Sequence, residues 1–102
     1  MELYLSIEKE LEVLAKEIEL ELGSSIVLEG DGLNIGNGQY FQYEFEDQKY
    51  ILCRCNGDFE VDETERFQYL IYCRGGDKKE LTALEPYLYN LGIEYEFGDY
   101  IT

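Results

Sequence analysis

Three cysteines, long stretches of carboxylates and a complete lack of histidine define the chemistry open to this 102-residue chain. Without His the commonest general base and the commonest metal ligand are both missing. Three Ser and three Thr occur, none of them in a Gly-x-Ser-x-Gly setting. Cys53-Arg54-Cys55 has the residue types of a metal or thiolate site. A structural zinc site needs four ligands, however, and three Cys without His fall short. Arg54 alternates with its two neighbours along a strand and so points away from both thiols, which makes it a poor activator of either. Cys53, Cys55 and Cys73 all fall on apolar faces and read as small buried hydrophobes.

The carboxylates come closest to a motif at Asp58, Glu60 and Asp62, which open like a calcium loop. The pattern then fails, because the sixth position is Glu63 rather than Gly and the twelfth is Tyr69 rather than Glu. Gly30, Gly32, Gly36 and Gly38 lie between strand-like runs with no helix or lysine following, so they are hairpin turns and not a phosphate loop. No cofactor, metal or catalytic residue is assigned, and the expectation is a protein that is not an enzyme.

The elements that must carry these residues follow from periodicity. Residues 3–22 read as a helix, with Ile7, Leu11, Leu14, Ile18 and Leu22 on one stripe and Glu8, Glu10, Glu12, Glu17, Glu19 and Glu21 around it. Gly23 stands at its C-terminal cap position. Short strands follow at Ile26 to Glu29 and Leu33 to Ile35, separated by a turn at Gly30-Asp31-Gly32, and Asn37-Gly38 signals a hairpin. Residues 39–46 alternate Phe41, Tyr43 and Phe45 with Gln42, Glu44 and Glu46. A turn near Asp47-Gln48 leads to Tyr50–Cys55, where Ile51, Cys53 and Cys55 are assigned the inner face. Residues 58–63 alternate acidic and apolar, and residues 65–74 place Phe67, Tyr69, Ile71 and Cys73 on one face. Asp77 with Glu80 resembles a capping box ahead of the stripe Leu81, Leu84, Leu88 and Leu91, and Pro86 predicts a kink or two short helices. Ile93, Tyr95 and Phe97 alternate with Glu94 and Glu96 in a last strand. The expected fold is a single α+β domain spanning residues 1–102: an N-terminal helix, an antiparallel sheet of about five strands, a second, kinked helix and a final strand.

What remains is surface. The chain holds 23 Asp and Glu against 8 Lys and Arg, a net charge of −15. Such a field repels nucleic acid and anionic lipid and attracts basic proteins. The densest acidic run is Asp58, Glu60, Asp62, Glu63 and Glu65, with Glu44, Glu46 and Asp47 nearby in sequence and Glu94 and Glu96 on the last strand. Strand carboxylates two residues apart lie ~6.6–6.8 Å apart, so imitation of a duplex with one charge per ~1.7 Å would need several elements together. Tyr40, Tyr50, Leu52, Leu70 and Tyr72 fall on the outward face in this reading, and aromatics rimmed by charge are an interface composition. The partner-binding candidates are therefore those ten carboxylates with Tyr50 and Tyr72.

In size and acidity the whole chain resembles small anti-defence inhibitors of phages and mobile elements, among them DNA-mimic anti-restriction and anti-CRISPR proteins. That resemblance implies docking on a basic, nucleic-acid-binding protein, with no direct nucleic-acid or membrane contact, and it leaves a homodimer open. Nuclease-immunity proteins look similar. A second reading is a small acidic chaperone or adaptor that binds through an aromatic sheet face, similar to dimeric secretion chaperones. A third is a carboxylate-based metal enzyme. The odd cysteine count and an opening Met1-Glu2 without a leader-like pattern point to the cytoplasm.

Overall fold

The computed structural model describes residues 1–24, 26–32, 38–55 and 67–98. Its elements run β1 (Glu2–Ser6), α1 (Leu11–Leu22), β2 (Ile26–Gly32), β3 (Gly38–Phe45), β4 (Gln48–Arg54), β5 (Tyr69–Arg74), α2 (Lys78–Thr82), α3 (Glu85–Asn90) and β6 (Glu94–Gly98). The strands form one antiparallel sheet in the order β2-β3-β4-β5-β1-β6. The α+β class, the broken second helix and the final strand match the sequence reading.

The N-terminus differs from that reading. Residues 3–22 are not one helix: Glu2–Ser6 is a strand inserted between β5 and β6. The alternation Glu2-Leu3-Tyr4-Leu5-Ser6 has period two and buries Leu3 and Leu5 completely. Helix α1 begins only at Leu11 and ends at Gly23, whose φ of 66° is the expected left-handed cap. Gly30-Asp31-Gly32 is likewise no turn but the end of β2, paired to Gly38, Gln39 and Tyr40. The proposed strands at Leu33 to Ile35 and residues 58–63 lie outside the described residues.

All three helices pack on one face of the sheet. Leu11, Leu14, Ala15, Ile18, Leu81, Leu84 and Leu88 meet Leu3, Leu5, Phe41, Tyr43, Tyr50, Leu52, Tyr69 and Ile71 in a continuous core. Tyrosines on three successive strands tie the layers together. The Tyr43 hydroxyl donates to the Ala15 carbonyl at 2.6 Å, Tyr50 donates to the Glu80 carbonyl at 2.8 Å, and Tyr69 donates to the Lys9 carbonyl. Each ring buries a large apolar area while its polar end stays satisfied. Glu80 accepts the Asp77 N–H at 2.8 Å, as the capping box requires. Pro86 sits in the first turn of α3, where its missing N–H is not needed, so the chain forms two short helices.

The assignment of faces on β4 is corrected. β3 and β4 are joined by a two-residue turn at Glu46-Asp47, both with positive φ (52° and 65°), so Phe45 pairs with Gln48, Tyr43 with Tyr50 and Phe41 with Leu52. Paired residues share a face, which puts Tyr50 and Leu52 under the helices and sends Ile51 and Cys53 to the other side. There they cluster with Tyr40, Leu70 and Tyr72. Both edge strands place a glycine on this second face, under an aromatic ring from the adjacent strand. A Cβ at Gly30 would lie 2.5 Å from the Tyr40 ring, and one at Gly98 would lie 2.7 Å from the ring of Tyr4. Only glycine allows these rings to lie flat across the edges.

Candidate protein-binding surface

The register builds the second face in rows. Glu44, Lys49 and Arg74 form one row across β3, β4 and β5. Two residues along, Gln42, Ile51 and Tyr72 form the next, followed by Tyr40, Cys53, Leu70, Tyr4 and Glu96. Glu94 lies opposite Ser6, beside that last row. The centre is apolar and closed: Tyr40, Ile51 and Cys53 are buried, and Leu70 and Tyr72 are half-buried. Gln42 is buried among them, and its Oε1 has no hydrogen-bond partner among the described residues.

Carboxylates therefore lie at the margins, in two groups. Glu44, Glu46 and Asp47 are exposed at the β3–β4 hairpin end. Glu94 and Glu96 are exposed on β6, four strands away. At about 4.8 Å per strand and about 3.4 Å per residue along it, the groups are roughly 24 Å apart at their nearest members, Glu44 and Glu96. The carboxylates of Glu46, Asp47 and Glu94 make no hydrogen bond or ion pair with a described residue. Elsewhere pairing does occur, as between Lys9, ahead of α1, and Glu17 on that helix at 2.7 Å. Asp58, Glu60, Asp62, Glu63 and Glu65 lie outside the described residues.

Of the two aromatic candidates, Tyr72 is on the second face and half-buried, whereas Tyr50 is not on a surface at all. Its side chain is 2% exposed, and burial pushes its hydroxyl pKa up to about 12. A folded protein cannot offer it to a partner. The cysteines also separate: Cys53 is buried on the second face and Cys73 under the helices, while Cys55 is half-buried. Burial pushes the Cys53 thiol up to about 12 and raises Cys73, the reverse of what a thiolate nucleophile or ligand needs. Among the described residues no three Cys, Asp or Glu side chains converge as a metal cage. No described helix is long and apolar enough to cross a membrane.

One feature of the hairpin carries a signal the sequence reading did not use. Two-residue turns of this kind favour Asn-Gly, Asp-Gly and Gly-Gly, because both positions need positive φ. Here Glu46 and Asp47 adopt it instead, with full side chains. Backbone held in a sparsely populated region costs of order 1 kcal/mol or more per residue and is concentrated at functional sites.

Compared with protein-family models, with curated proteins and with solved structures, the chain matches none.

Proposed function

We propose that this chain is a small acidic inhibitor of the cytoplasm that docks on a basic, nucleic-acid-binding surface of a partner protein, its carboxylates standing where phosphates would. The observation that carries the reading is the hairpin end, where two exposed carboxylates without a bonding partner among the described residues occupy left-handed backbone positions that glycine would fill more easily. The net charge of −15 supports it, since such a field speeds encounter with a basic surface. Glu94 and Glu96 extend the charge across the second face. The burial of Tyr50 and Leu52 in the core favours this charged mode over an adaptor that binds through an aromatic sheet face. Nothing in this mode requires catalysis by the chain itself.

Two variants test it against the partner. One changes Glu46→Gln and Asp47→Asn; the other changes Asp58→Asn, Glu60→Gln and Asp62→Asn, the densest acidic run in the sequence. Shape is kept and charge removed. Each rim charge contributes under about 1 kcal/mol, so the double variant should bind up to about 2 kcal/mol more weakly and the triple variant about 1–3 kcal/mol more weakly, mainly through slower association at low salt. Parent-like association rates and affinities for both variants would contradict charge-directed docking.

A further inference from the structure

We propose that the outer edge of β6 receives an extended basic segment of the partner, which joins the sheet as an antiparallel strand with Lys or Arg side chains against Glu94 and Glu96. This rests on the docking function proposed above and gives it a contact mode.

The direction of the backbone groups follows from the ladder. The Leu5 carbonyl accepts from Gln68 N–H, so Leu5, and with it Leu3, turns its polar groups toward β5. In an antiparallel strand successive residues alternate, so Glu2, Tyr4 and Ser6 turn theirs toward β6. Their partners Gly98, Glu96 and Glu94 therefore face inward, and the N–H and C=O groups of Tyr95 and Phe97 face outward from the sheet edge. Among the described residues no strand lies beyond β6, and such an edge is a template for another strand.

Side chains set which strand fits. Glu94 and Glu96 are exposed on the second face, while Tyr95 and Phe97 are half-buried on the helix side. Tyr95 is held by a hydrogen bond to Glu85 at 3.0 Å, and the Lys78 ammonium lies 5.2 Å from the centre of the Phe97 ring. An incoming strand that alternates basic and apolar residues would place its cations against the two carboxylates and its apolar side chains beside the two rings. A second copy of this chain fits badly. Pairing β6 with β6 in antiparallel register sets the carboxylates of 94 and 96 from both copies on one face, where like charges oppose.

The test uses three ten-residue peptides of alternating Lys and Val at low salt, with amide exchange of the whole protein followed by NMR. The first is unmodified; the second is N-methylated at every Val and the third at every Lys. In antiparallel pairing, Val opposite Tyr95 and Phe97 must donate to the edge, whereas Lys amides point away from it. The unmodified and Lys-methylated peptides should bind and slow exchange at Tyr95 and Phe97 at least tenfold. The Val-methylated peptide, of equal charge, should bind at least tenfold more weakly, and Glu94→Gln with Glu96→Gln should weaken the other two. Equal binding of all three peptides would overturn strand addition and leave charge-directed docking standing. Failure of all three to bind would count against both.

Discussion

Replacing Leu5 by alanine is expected to lower the unfolding free energy by roughly 2–5 kcal/mol, the range for emptying a fully buried leucine site. Leu5 is completely buried, and β1 is the strand that joins β6 to the rest of the sheet. A domain of this size has about 5–15 kcal/mol in total, so the loss is a large share of its stability. Leu20→Ala is the control. That side chain is 81% exposed on α1, and its loss should change stability by no more than about 0.5 kcal/mol. Denaturant unfolding at constant m-value measures both. The comparison also separates two structures for the N-terminus, because one helix through residues 3–22 would turn Leu5 well away from the stripe Ile7–Leu22 and make its truncation mild. A loss below about 1 kcal/mol would contradict a buried β1.

The second large effect is alkaline destabilisation. Burial lifts the Cys53 thiol from an ordinary value near 9 to about 12. Between those values the unfolded chain releases the proton while the folded chain keeps it, so the unfolded state binds fewer protons and stability falls as pH rises. The stabilising contribution is fully present below pH 9 and lost on the way to pH 12, at about 1.4 kcal/mol per pH unit for a group that is fully protonated when folded. Tyr50, raised from 10 to about 12, acts in the same direction in the upper part of that window. Unfolding midpoints measured in reductant at pH 8, 9, 10 and 11 should fall progressively above pH 9, and Cys53→Ala should flatten the slope. A midpoint unchanged through pH 11 would mean that the thiol is solvated.

The sequence revealed most where one period ran unopposed. The stripe of α1 from Leu11 to Leu22, the alternation of β5, the break at Pro86 and the cap at Gly23 were all legible, because each rests on local geometry. β1 was hidden because Ile7 happens to extend the helical stripe toward it, and five residues of alternating pattern are outweighed by a longer periodic run. β4 was legible as a strand but not in its facing. Tyr50, Ile51, Leu52 and Cys53 are all buried, so the apolar pattern has no inside and outside, and the face is set by the turn length alone. That error moved Tyr50 from core to surface among the site candidates. Glu44, Glu46, Asp47, Glu94 and Glu96 are exposed in spite of it, because charge places a side chain outside whatever the register. The strained hairpin carboxylates and the outward backbone of β6 depend on dihedrals and ladder parity, neither of which composition records.

Competition with nucleic acid tests the proposed docking on a basic, nucleic-acid-binding surface most directly. The protein retained from host extract on the immobilised chain is purified, and the affinity of the chain for it is measured with increasing duplex DNA and RNA at fixed salt. Mutually exclusive binding is the expected result, with the apparent Kd rising in proportion to free nucleic acid and affinity falling steeply as salt increases. A ternary complex of partner, nucleic acid and chain, with an affinity that salt leaves unchanged, would contradict it.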